Sequence, residues 1–134
     1  MQNNSIVKVV LIFLLTCTFQ FLATGTVFSE EQIDYNSLVG EWVRPDGGYI
    51  IRIQGIKPDG SIDVGYFNPK EINIAEANVS RWKGLNKLFI KLQDEGYPGS
   101  TYTLYYYPDK DALAGFYYQA TIKETFEVVF IRKE

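Results

Sequence analysis

The sequence predicts an all-β domain, an antiparallel up-and-down meander of about eight strands closed into a small barrel. Three observations carry this expectation. Helical periodicity is absent beyond Leu38. Segments of about five to nine residues rich in Val, Ile, Tyr, Phe and Thr follow one another, as β propensity favours. Between them lie turn clusters built from Pro, Asp, Asn and Gly, most of them short enough for hairpins.

The expected strands are Gly40 to Arg44, Tyr49 to Gly55, Ser61 to Phe67, Ile72 to Trp82, Lys87 to Gln93, Thr101 to Tyr107, Ala112 to Ala120 and Phe126 to Lys133. Ahead of them, Asp34 or Asn36 can cap one helical turn before Leu38. Pro45-Asp46-Gly47-Gly48, Lys57-Pro58-Asp59-Gly60 and Pro108-Asp109-Lys110-Asp111 punctuate the series. Proline presets φ there, Asp bonds local backbone N–H groups, and Gly accepts positive φ.

Period-two alternation assigns the faces. Ile51 and Ile53 share a side with Tyr49; Leu88, Ile90 and Leu92 share another; Phe126, Val128 and Phe130 a third. In the segment from Ile72 to Trp82 the apolar phase switches between Ile74 and Ala77, which predicts a bulge near Ala75. Closure into a barrel removes the exposed edges of such a sheet. A two-sheet β-sandwich is the structural alternative.

The N-terminus reads as an export signal. Lys8 is the only charge before the apolar run Val9 to Leu15, which resumes at Phe19, Phe21 and Leu22. Val27 and Ser29 supply small side chains three residues and one residue before a cut, so cleavage is expected after Ser29, with Gly25 as the second choice. Residues 1–29 are then a signal peptide and residues 30–134 the β-barrel domain, secreted or periplasmic. Two alternatives stand beside this: an uncleaved membrane anchor, and lipidation at Cys17, the single cysteine.

Of the 134 residues, 13 are basic, 16 acidic and none is His. Loss of Lys8 leaves 12 basic against 16 acidic residues, a net charge of −4. That balance opposes binding to nucleic acid or to an anionic membrane surface. Without Cys17 the exported domain has no cysteine, so packing alone must stabilise it.

The same inventory restricts the chemistry. No His/Cys zinc site, Ser-His-Asp triad or thiol nucleophile is available, and no phosphate-cradling glycine loop appears. Asp63, Glu71, Asp94 and Glu95 are the carboxylates open to recruitment for acid–base work, but their turn and outer-face positions suit solvated residues. Calcium needs more converging oxygens than Asp94 and Glu95 bring. The expectation is a protein that is not an enzyme and holds no metal or cofactor.

Leu38-Val39-Gly40-Glu41-Trp42 at the opening of the first strand and Arg132 at the end of the last resemble the lipocalin-like, or calycin, barrel. The resemblance implies that Gly40 lets the backbone pass under the barrel, Trp42 plugs its base, and Arg132 packs across the indole, all as structural residues. Arg44-Pro45-Asp46-Gly47-Gly48-Tyr49, Tyr66-Phe67-Asn68-Pro69 and Tyr97-Pro98-Gly99-Ser100-Thr101-Tyr102-Thr103-Leu104 are similar to stretches of bacterial exported proteins, a likeness that implies no particular activity.

The candidate site comes from two loops and a set of tyrosines. Asn68-Pro69-Lys70-Glu71 and the segment from Asp94 to Ser100, which holds Tyr97, are more distinctive than hairpins require. All ten tyrosines lie beyond residue 29. Most are explained by β propensity and cross-strand packing. Tyr66, Tyr102, Tyr106, Tyr117 and Gln119 together are nonetheless too polar for a small dry core, because a buried hydroxyl needs a partner. They are expected to point inward toward a mouth framed by Asn68, Asp94 and Tyr97, and to bind a small polar or amphipathic molecule. The alternative is a protein-interaction or inhibitor domain acting through the Asn68 and Tyr97 loops.

Overall fold

The computed structural model describes residues 33–134. The signal peptide, its cleavage sites, the anchor alternative and Cys17 lie outside the described residues. Within them, nine strands form one antiparallel sheet: β1 (Gly40–Val43), β2 (Ile50–Ile56), β3 (Ile62–Phe67), β4 (Glu71–Ile72), β5 (Ile74–Trp82), β6 (Leu85–Leu92), β7 (Thr101–Tyr107), β8 (Ala112–Gln119) and β9 (Glu124–Arg132). Single 3-10 turns occupy Asn36–Leu38 and Pro108–Lys110. The Asp34 carboxylate accepts the Asn36 N–H at 2.8 Å, but the residue at the cap of this first turn is Tyr35, which makes no side-chain capping bond, so neither Asp34 nor Asn36 takes the expected capping position. Among the described residues no helix is long and apolar enough to cross a membrane.

The strand order is β4-β3-β2-β1-β9-β8-β7-β6-β5. Every neighbouring pair is antiparallel, and first and last strands meet, Trp42 opposite Arg132 and Val43 opposite Ile131. The sheet thus rolls into a nearly closed up-and-down barrel whose one unsealed seam lies between β3–β4 and β5. An isolated bridge, Ser61 to Asn78, spans that seam. Beside it the Val79 N–H donates to the Gly60 carbonyl at 2.8 Å. Glycine is required here: its φ is +85°, and a Cβ would stand 2.1 Å from the Val79 carbonyl oxygen.

The ninth strand arises from a break that alternation did not reveal. The expected run from Ile72 to Trp82 is interrupted at Asn73, because the Asp94 carboxylate takes the Asn73 backbone N–H at 2.9 Å and its side-chain amide at 2.8 Å. On the far side Ile72, the one residue left of that run, joins Glu71 from the preceding loop and pairs with β3 as β4. The predicted bulge is present, with the β5–β6 register shifting between Ile74 and Glu76.

Alternation assigned the core correctly. Ile51, Ile53, Leu88, Ile90, Leu92, Leu104, Leu113 and Phe130 are buried, with Trp42, Tyr66 and Tyr102 among the largest enclosed side chains. Phe126 is the exception: expected to turn in with Val128 and Phe130, it is 41% exposed. It is the third residue of β9, opposite Tyr117 and two pairs from the mouth end of the β8–β9 ladder.

Strand direction separates two ends. The base gathers the residues before Gly40, the β7–β8 turn and the C-terminus. There the Arg132 guanidinium carbon sits 4.3 Å from the centre of the Trp42 ring. The same guanidinium donates to both Asp111 oxygens at 2.7 and 2.9 Å, to the Val39 carbonyl at 2.8 Å and to the Ser37 carbonyl at 2.7 Å. The Trp42 indole N–H donates to the Leu38 carbonyl at 2.9 Å. A Cβ at Gly40 would come within 2.7 Å of the Arg132 Nη1, so only glycine lets that nitrogen reach beneath the first strand.

Candidate functional site

The opposite end, the mouth, is built by the four turns that follow β1, β3, β6 and β8. Arg44 and Tyr49 flank the first, Asn68 begins the second, Gly96 and Tyr97 belong to the third, and Gln119 closes β8 two residues beyond Tyr117. Together these seven residues line a depression of about 240 Å³. Its walls are aromatic and its polar groups come from separate turns, so it exists only when the barrel is folded.

Arg44 supplies the depression's positive charge. Its side chain is only 13% exposed. Nε and Nη2 donate to the two oxygens of Asp46 at 2.8 and 2.6 Å, and the guanidinium carbon lies 4.5 Å from the centre of the Tyr49 ring. Asp46 raises the Arg44 pKa above its ordinary value and is itself held below the usual carboxylate range by the same bonds. Across the mouth, the Asn68 side-chain amide donates to the Tyr97 hydroxyl, joining the second and third turns.

Beneath the depression lies a stack of tyrosines. The Tyr66 and Tyr102 hydroxyls are hydrogen-bonded to each other at 2.9 Å. Their ring centres are 5.3 Å apart, and Tyr117 lies 4.6 Å from Tyr102. Burial raises the pKa of Tyr66 and Tyr117 and pushes Tyr102 up to about 12, because a phenolate is poorly solvated there. Tyr66 and Tyr102 are closed off entirely and satisfy each other, so they form the floor's support. Tyr117 reaches the lining.

The expected site residues therefore divide. Asn68, Tyr97, Tyr117 and Gln119 meet in the depression. Tyr66 and Tyr102 point inward below it. Asp94 is taken up by Asn73, at the break between β4 and β5. Tyr106 is at the base, not the mouth: its hydroxyl donates to Asp111 at 3.0 Å and its ring meets Trp42 edge-on at 5.9 Å. Inward pointing was right for Tyr106, but β7 runs from mouth to base and its last residues reach the wrong end.

Arg44 and Tyr49 were not singled out from the sequence. The Arg-Pro-Asp-Gly-Gly-Tyr string read as a turn; the available signal was the two-residue spacing of Arg44 and Asp46, which permits a bidentate fork within one turn. A second surface lies on the outside of the sheet. Tyr105, Tyr107, Phe116 and Val129 form an apolar outer face on β7–β9, reached by Trp82. The Trp82 ring packs against Tyr105 at 5.0 Å, with the Lys83 ammonium 4.5 Å above it. No family model, curated protein or solved structure matches this chain.

Proposed function

We propose that this chain is an exported binding barrel of lipocalin-like build, in which residues 1–29 direct export and residues 30–134 hold a small polar or amphipathic molecule at the mouth. One observation carries the reading: Arg44, Asn68 and Gln119 converge with Tyr49, Tyr97 and Tyr117 around one concave space from turns remote in sequence. A concave space in which aromatic rings and a few directed polar groups converge is a common form of small-molecule site.

Native mass spectrometry of the protein purified from its own host tests the reading. A retained small-molecule mass that disappears in Asn68→Ala/Gln119→Ala supports it; the bare protein mass alone opposes it. N-terminal sequencing of the exported material tests the targeting half, with Glu30 expected as the first residue. Finding Met1 instead would leave the segment as an anchor.

A second reading, a protein-interaction domain, draws support from the exposed aromatic surface of β7–β9 rather than from the Asn68 and Tyr97 loops, which are tied to each other. Large exposed apolar surfaces often mark partner sites. A stoichiometric protein adduct in the same spectra, with no small-molecule adduct, would favour it.

A further inference from the structure

The charge of the mouth points to the chemical class of its guest. Arg44 is the only formally charged side chain among the seven that line the depression. It is largely buried and stacked on Tyr49, yet the carboxylate that neutralises it is not: the Asp46 side chain is 63% exposed, on a turn that continues into Gly47 and Gly48. The Arg44 side chain thus stands at the wall of a concave space, and the partner on its fork, Asp46, is a solvated side chain of the adjoining surface turn, outside the seven lining residues.

Resting on the mouth reading above, we propose that the depression selects a small organic carboxylate, whose carboxylate takes the place of Asp46 on the Arg44 fork. Asp46 displays the bidentate geometry that the guest adopts. The exchange conserves charge at Arg44, so no buried cation is left unpaired. It returns Asp46 to water, where it is already mostly solvated. What the guest adds, and Asp46 cannot, is a body that fills the space between Tyr49, Tyr97 and Tyr117, with the Asn68 and Gln119 amides available to its other polar groups. At about 240 Å³ the space is smaller than sites for drug-sized ligands, of roughly 300 to 1,000 Å³, which favours a guest of about one ring.

Benzoate and its neutral isostere benzamide, titrated into the exported domain and followed through the Asn68 and Gln119 side-chain amide signals in 1H–15N spectra, test this directly. Benzoate is expected to shift both signals and to bind at least about tenfold more tightly than benzamide, as a fork-paired charge allows. Asp46→Asn, which removes the competing carboxylate, should tighten benzoate about two- to fivefold, the range for a partly exposed ion pair, and leave benzamide unchanged. Arg44→Lys, which keeps the charge but loses the fork, should weaken benzoate selectively. Equal binding of the two probes at these amides overturns carboxylate selection while leaving the mouth as a binding site. Absence of shifts with either probe overturns the inference as well, and the mouth reading is then decided by the retained mass.

Discussion

The hydroxyls of Tyr66 on β3 and Tyr102 on β7 meet at 2.9 Å inside the barrel, each the partner that makes the other's burial tolerable. Among the described residues, no buried side-chain polar atom lacks a hydrogen bond. Removing one member of the pair should therefore cost more than a surface hydroxyl would. Tyr66→Phe is expected to lower stability by about 1 to 3 kcal/mol, the penalty of a stranded buried group. Tyr66→Phe/Tyr102→Phe should cost less than the sum of the single changes. Urea denaturation of the four proteins measures the coupling, and strict additivity would show that the pair is not joined in solution.

The same burial sets an alkaline limit. Tyr66, Tyr102 and Tyr117 have raised pKa values, Tyr102 up to about 12, against about 10 in the unfolded chain. Between these values the unfolded chain has released protons that the folded barrel retains, so stability falls as pH rises. It should be undiminished by this effect below about pH 10 and decline steadily above it. Denaturation midpoints measured from pH 8 to 12 check this; Tyr102→Phe should reduce the slope.

At the base, Trp42 fills the barrel and Arg132 binds four acceptors around it. Trp42→Ala is expected to cost about 3 to 5 kcal/mol as a large core truncation, read by far-UV circular dichroism in urea. Asp111 is about half exposed, so its ion pair with Arg132 contributes modestly, about 1 kcal/mol or less. Arg132→Met should cost more than Asp111→Asn, because it also strands the Ser37 and Val39 carbonyls. Equal losses would mean that the ion pair alone matters.

The seam can be tested through two glycines. Gly60 and Gly84 both have positive φ, +85° and +80°, but only Gly60 faces a neighbouring strand; a Cβ at Gly84 meets nothing within 4 Å. Gly84→Ala should cost about 1 to 2 kcal/mol for backbone strain alone. Gly60→Ala should cost more and also speed hydrogen exchange at the Val79 amide, whose bond to the Gly60 carbonyl closes the seam. Unchanged exchange there would show that the seam is held elsewhere.

By itself the sequence determined the all-β class, seven of the nine strands, the bulge in β5 and the inward faces of almost every strand, because these depend on local turn chemistry and a period of two. It also pointed to the Trp42–Arg132 base and to Asn68, Tyr97, Tyr117 and Gln119. The tertiary structure decided what depends on residues far apart in the chain. Asp94 reaches back to Asn73 and divides one expected strand into β4 and β5; Tyr106 falls to the base because distance along a strand, not facing, selects the end of a barrel. Arg44 reads as part of a turn until the fold sets Tyr97, Tyr117 and Gln119 around the same space, since a single strand's pattern carries no record of which distant turns will close over it.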